Sequence, residues 1–169
     1  MNTKTLPLLL MLFMFTTNIS AQDVNNSITQ RIDSLQAQLN KLQHDYDYLY
    51  YESQLKELQH DLKILRNEIL SSSALISIYV ISGEYNNEIY YGLKEQFDTH
   101  NTYINVYEQL ATEWKKFLPL KMTILNFSEE EKKTMESNLT VIEECVQNAK
   151  NALEHQEFLI DKYKNLKWR

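Results

Sequence analysis

The sequence predicts an all-α protein: a long, coiled-coil-like antiparallel three-helix bundle with a helical extension at its N-terminus. The 169 residues include only two glycines and two prolines, so the chain has few of the residues on which turns depend. Its apolar residues recur at alternating intervals of three and four, the spacing of helices that pack side by side. Few turns and long periodic stretches indicate few, long helices. A compact four-helix bundle, in which the extension folds back, is the alternative.

The first 21 residues have the pattern of a cleaved secretory signal peptide. Lys4 precedes an apolar run from Leu6 to Phe15, and Ala21 stands just before a polar segment. The apolar run is too short to span a bilayer, and a small residue at its end suits a signal-peptidase site. An uncleaved membrane anchor is the alternative. We therefore expect cleavage after Ala21, a secreted or periplasmic protein, and no membrane span in the mature chain.

Charge and cysteine content narrow the classes of partner. The formal net charge of the full chain is −6, and loss of residues 1–21 removes Lys4 and no acidic residue, which takes it to −7. A negative protein is a poor ligand for nucleic acid or for an anionic membrane surface. The single cysteine, Cys145, cannot form an intrachain disulfide. We expect a protein partner and no nucleic acid.

Residues 22–50 are predicted to form a coiled-coil stem with one heptad seam. The flanking positions are mostly neutral, so charge does not select the partner strongly. Leucines at d and a β-branched residue at a favour a parallel homodimer, although the tyrosine at an a position is atypical. Another helical protein is the alternative partner. The predicted partner-binding residues are Ile28, Ile32, Leu35, Leu39, Leu42, Tyr46 and Leu49.

A second seam begins at Tyr51 and faces the opposite side of the helix. Its first a position, Leu55, follows Tyr46 by nine residues, which at about 100° per residue corresponds to half a turn. No glycine or proline marks a break at this crossover. We expect one helix to continue into a three-helix body over residues 51–169. A chain reversal at this point, giving the compact bundle, is the alternative.

Turn and cap signals divide that body into three helices. The segment from Ser82 to Asn87 contains Gly83 and is the clearest turn signal. Pro119 removes a backbone donor, so we expect the second helix to end or kink there. Ser128 with Glu131 forms a capping box that starts the third helix.

The seams of these helices fit a single antiparallel register. In that register Leu93 lies opposite Ile160, and His100 and Gln156 fall in adjacent core layers. This core polar pair has two interpretations: a hydrogen-bonded pair that fixes the alignment of the helices, or a small polar, pH-sensitive pocket.

Motifs for catalysis or metal binding are weak. Glu57 and His60 have the Glu-x-x-His spacing of di-iron bundles, but His60 falls on the solvated face and the further carboxylates are missing. Cys145 stands beside Glu143 and Glu144, whose charge would raise a thiol pKa. We expect no catalytic residues, no metal, no cofactor and no enzymatic activity.

Two functions remain after these exclusions. The first is an exported, non-enzymatic interaction or structural protein that assembles through the N-terminal seam. The second is a small-ligand-binding helical bundle, because the chain contains eleven tyrosines and these rings suit both interfaces and pockets. The tyrosines that would line such a pocket are Tyr48, Tyr51, Tyr79, Tyr90 and Tyr163.

Overall fold

The structure, a computed structural model, describes the backbone of residues 6–168 and the side chains of residues 24–167. Its elements are α1 (Leu6–Ser82), α2 (Asn87–Ile124), α3 (Glu129–Lys164) and a final 3₁₀ turn (Asn165–Trp168). Throughout this described part, every regular element is helical. The predicted all-α helical bundle is therefore confirmed.

The chain forms two compact units, of which the first ends at Tyr46 and the second begins at Asp47. The first unit is the N-terminal part of α1; the second holds the rest of α1 with α2, α3 and the 3₁₀ turn. We predicted that the three-helix body begins at residue 51, and in the structure the ring of Tyr48 also packs against it, 5.8 Å from the ring of Phe127. The predicted signal peptide, residues 1–21, lies outside the residues whose side chains are described, and its cleavage stays a prediction.

Within the second unit, successive helices run antiparallel. Ser72 of α1 donates a hydrogen bond to Gln96 of α2, and Tyr51, earlier in α1, packs against Trp114, later in α2. Between α2 and α3, Lys150 pairs with Glu108 at 2.6 Å. A second pair, Lys115 with Glu143, continues the same pattern. These contacts agree with the predicted register.

The core of the second unit lies along the inner faces of all three helices. Its residues occupy the predicted three-four seams, and each large aliphatic side chain removed from water contributes about 1.5–3 kcal/mol. The most deeply buried side chains are Leu55, Leu62, Ile69, Ile76, Ile104, Leu118, Met135, Ile142, Gln156 and Tyr163.

The connection between α1 and α2 is short, and contacts with α2 and α3 hold it in place. Gly83 takes a left-handed backbone conformation with φ of 72°, which favours glycine. Asn86 caps α2, and its side-chain oxygen accepts hydrogen bonds from the amides of Glu88 and Ile89. The hydroxyl of Tyr163 in α3 accepts a hydrogen bond from the backbone amide of Asn86 at 2.9 Å. The predicted turn over this segment is confirmed.

We predicted that α2 ends or kinks at Pro119; the helix does not end there, because it runs through Pro119 to Ile124. Leu118 and Met122, on either side of the proline, are both buried in the core. Their packing offsets the backbone hydrogen bond that the proline cannot donate. Only four residues, 125–128, then connect α2 to α3.

The start of α3 is the local feature that the sequence predicted best. The side chain of Glu131 accepts a hydrogen bond from the amide of Ser128 at 2.7 Å, and the hydroxyl of Ser128 accepts one from the amide of Glu131 at 3.3 Å. Both halves of the capping box are therefore formed, and this prediction is confirmed. Asn126, with φ of 53°, supplies the left-handed residue that reverses the chain before it.

One segment of the described chain, Val24–Ser82 of α1, is long and apolar enough to cross a membrane by length and composition alone. We predicted from the sequence that the mature chain has no membrane span. Composition cannot separate a span from a core helix, since both pass this criterion. Leu65, Ile69 and Ile76 of this segment pack into a core with α2 and α3, which favours the core helix.

Candidate functional site

The N-terminal seam is the most exposed apolar feature with regular spacing. All seven predicted partner-binding residues are described, and their exposed fractions run from 50% for Ile28 to 66% for Leu42. In the second unit, seams of the same spacing are buried by neighbouring helices. These seven residues thus form an exposed stripe with the same spacing as the buried seams of the second unit. The seam residues are Ile28, Ile32, Leu35, Leu39, Leu42, Tyr46 and Leu49.

A buried polar network joins the three helices of the second unit. His100 is 5% exposed, Gln156 is fully buried, and His100 Nδ1 lies 3.0 Å from Gln156 Oε1. The amide nitrogen of Gln156 donates to Ser72 Oγ at 2.8 Å, and Ser72 Oγ donates to Gln96 Oε1 at 2.8 Å. Because Gln156 uses its nitrogen for Ser72, its oxygen accepts from His100, which places the hydrogen on Nδ1. The sequence predicted the pair of His100 and Gln156, but not that Ser72 and Gln96 extend it into a network.

At the end of the bundle near the α2–α3 connection, Tyr48 and Tyr51 pack against other aromatic rings. The ring of Tyr51 lies 6.0 Å from Trp114, 6.2 Å from Phe117 and 6.5 Å from Phe127. Burial, and then the nearby charge of Asp47, raises the pKa of Tyr51. These rings cover the end of the core, as a closing layer does.

At the opposite end, Tyr79, Tyr90 and Tyr163 belong to a second aromatic group. The ring of Tyr163 lies 6.0 Å from Tyr79 and 5.5 Å from Tyr85, and the ring of Tyr85 lies 6.2 Å from Tyr90. Tyr163 is fully buried. The rings occupy the space in which the sequence analysis placed a ligand, so the packing does not favour a tyrosine-lined pocket here.

An open groove that the sequence did not predict lies between α1 and α2 of the second unit; we call it the α1–α2 groove. Ile64 and Leu75 line it from α1, and Tyr103 lines it from α2. All three side chains are exposed. The sequence signal that was available is a second set of apolar residues on α2, which recur at intervals of three and four and are offset from the core seam. The exposed members of that spacing are Tyr103, Val106, Leu110, Phe117, Leu120 and Ile124.

Two acidic residues of α1, Asp61 and Glu68, line the α1–α2 groove. The other polar residues that line it include Asn67, Ser71, Ser72, Gln96 and His100. Burial raises the pKa of Tyr107 in the groove, and the charges of Asp61 and Glu68 add to this effect, as does Tyr103. A raised tyrosine pKa indicates that negative charge is disfavoured at this position.

Metal-ligating and nucleophilic side chains do not converge in the described residues. No group of three or more His, Cys, Asp or Glu side chains suited to a metal ion occurs among them. His60 and Glu57 are both exposed. Cys145 is a free, buried thiol that packs in the core beside Val146.

Comparison with known proteins gives no match: no protein-family model, no curated protein and no solved structure is significantly similar to this chain. Function therefore has to be argued from the residues and their geometry.

Proposed function

We propose that this is an exported, non-enzymatic structural protein that assembles through its N-terminal seam. The observation that supports the proposal is the exposure of all seven seam residues. An apolar stripe of this regularity marks a protein interaction surface more often than a surface meant for water. Burying each of its leucines on association would contribute about 1.5–3 kcal/mol before the costs of ordering.

A second copy of the chain is the partner that we propose for the seam. In a parallel pair each seam residue meets its own counterpart, so the spacing matches along the whole stretch from Ile28 to Leu49. Leucine occupies three of the four d positions, and Ile32 stands at a, which favours two strands. The flanking side chains are mostly uncharged, so like charges do not oppose the parallel arrangement. Export rests on the sequence pattern of residues 1–21.

Sedimentation equilibrium of the purified chain tests this proposal. We expect a dimer at tens of micromolar, and a monomer for the variant L35D/L42D, because two buried charges in the seam would each lack a partner. The matched control S34D/A37D carries the same added charge on exposed positions away from the seam. It should remain dimeric. A monomeric wild-type protein, or equal dissociation of both variants, would overturn the proposal.

A further inference from the structure

The α1–α2 groove combines apolar walls with unpaired acids. Among the described residues, Asp61 and Glu68 make no ion pair and accept no side-chain hydrogen bond. The residues lining the two depressions of the groove include no lysine or arginine. The depression on the outer face of α2, in contrast, is lined by Lys116 as well as by acids. The absence of bases thus distinguishes the groove from the solvated face.

We propose that the α1–α2 groove binds a cationic amphipathic helix of another protein. The apolar wall would take the apolar face of that helix, in the mode by which an amphipathic helix lies in a hydrophobic groove. Asp61 and Glu68 are seven residues apart, so they lie on the same face of α1 and can meet basic residues spaced one heptad apart. The charge of −6 on the whole chain attracts such a partner at long range.

The dimensions of the groove suit a short helix. From Asp61 to Leu75 the α1 wall spans 14 residues, which at about 1.5 Å per residue is roughly 21 Å. Basic residues of the partner would lie beside Asp61 and Glu68.

The floor of the groove offers a polar contact that the chain does not use. His100 lines the groove while it is 5% exposed, and its Nδ1 donates to Gln156. Nε2, the remaining acceptor of the ring, has no hydrogen-bond partner among the described side chains. A serine, threonine or asparagine on the docked helix could donate to it, which would fix the register of the partner.

A second copy of this chain matches the groove poorly. Residues 24–50 carry Arg31 and Lys41 against Asp33, Asp45 and Asp47, so the exposed seam lies on a segment with more acids than bases. Docked on the acidic groove, that segment would gain little electrostatic attraction. Charge complementarity favours a foreign basic helix.

Fluorescence anisotropy with the full chain and a labelled model peptide tests the inference. The probe is a helical peptide of about 20 residues with leucines at alternating intervals of three and four and lysines on both flanks. Its control has glutamate at every lysine position. We expect the lysine peptide to bind, with an affinity that falls as salt is added, and the glutamate peptide to bind much more weakly. Equal binding of both peptides, or no binding of the lysine peptide, would overturn the inference.

Two variants locate the binding site. D61N/E68Q should weaken binding of the lysine peptide by about 2- to 30-fold, the range expected from two exposed ion pairs. E144Q/E157Q removes two exposed, unpaired acids from α3 and should leave the affinity unchanged. An equal loss in both variants would show a nonspecific effect of charge and overturn the inference.

Two further measurements distinguish a foreign helix from a second copy of the chain, and the groove from the N-terminal seam. Displacement of the lysine peptide by a peptide of residues 24–50 at equal affinity would identify a second copy as the occupant and overturn the inference. Sedimentation of D61N/E68Q distinguishes the groove from the N-terminal seam. We expect D61N/E68Q to self-associate as the wild-type protein does and to bind the lysine peptide more weakly. This comparison tests the groove whether or not the N-terminal seam forms a dimer.

Discussion

The imidazole of His100 and the amide of Gln156 meet in the core, with Nδ1 3.0 Å from Oε1, and thereby join α2 to α3. The same amide donates to Ser72 Oγ in α1, so one side chain connects all three helices of the second unit. Seams with heptad spacing allow helices to slip by seven residues at little cost in apolar burial. A buried network that is satisfied in only one alignment removes that freedom.

Breaking this network from one side should destabilise the protein. Q156L leaves the Nδ1 hydrogen of His100 buried without an acceptor, which costs about 1–3 kcal/mol. The double variant H100L/Q156L should lose less than the sum of H100L and Q156L, because no partner of the pair is then stranded. Urea unfolding of the four proteins measures the coupling. Additive losses would show that the pair does not act as a unit.

Removing the hydroxyl of Tyr163 tests the connection between α3 and the α1–α2 turn. Y163F keeps the buried ring and deletes the hydrogen bond that the hydroxyl accepts from the amide of Asn86. We expect a loss of about 0.5–1.5 kcal/mol in the free energy of unfolding. Y91F, which changes an exposed tyrosine, is the matched control and should have no effect.

Truncation of two isoleucines on α1 tests which face of that helix is the core. Ile76 is fully buried and Ile81 is 84% exposed. I76A should lower the free energy of unfolding by about 2–5 kcal/mol, because it opens a cavity. I81A should change it by about 0.5 kcal/mol or less. Thermal or urea unfolding of both variants checks the difference, and similar losses would contradict the packing of α1.

The cap of α3 can be tested with a pair of serines. S128A deletes the oxygen that accepts a hydrogen bond from the amide of Glu131, and should cost about 0.5–2 kcal/mol. S137A changes an exposed serine inside α3, where alanine has the higher helix propensity, and should be neutral or slightly stabilising. Urea midpoints of both variants give the comparison. A neutral S128A would mean that α3 does not need its cap.

Alkaline pH should destabilise the second unit through Tyr107. Burial raises its pKa in the folded protein, with further contributions from Asp61, Tyr103 and Glu68, whereas the unfolded chain keeps a value of about 10. The folded state then holds this proton more tightly, so the contribution is fully present below about pH 10 and is lost as the pH rises through the folded pKa.

Urea unfolding of Y107F and the wild-type protein between neutral pH and pH above 10 measures this effect. The loss of stability on raising the pH should be smaller in Y107F, because phenylalanine has no proton to lose. D61N/E68Q should also reduce the loss, by a smaller amount, since it removes two charges that add to the effect of burial on the pKa of Tyr107. An alkaline loss equal to that of the wild-type protein in both variants would contradict this origin.

Local signals predicted the features that depend on neighbouring residues. The capping box at Ser128 and the turn around Gly83 are formed by side chains and backbone within a few residues of each other, so short sequence patterns contain what decides them. Pro119 shows the limit of this reasoning. Its local effect is unfavourable for a helix, yet burial of Leu118 and Met122 by other helices outweighs that effect.

Sites that depend on two helices were predicted only in part. The seam spacing placed His100 and Gln156 in adjacent layers, and the structure joins them directly. The α1–α2 groove was missed because its walls come from residues far apart in the chain, and each wall by itself looks like a scatter of exposed apolar side chains. Its lack of basic residues becomes visible only when both walls are considered together.

The sequence by itself determined the helices, their order and their seams, because helical periodicity and capping act over one or two turns. Tertiary structure decided which apolar stripes are buried and which stay exposed. Burial depends on whether a second surface lies within contact distance, and the spacing of residues along one helix is the same in both cases. Ile76 and Leu35 follow the same spacing, yet Ile76 is fully buried and Leu35 is 64% exposed.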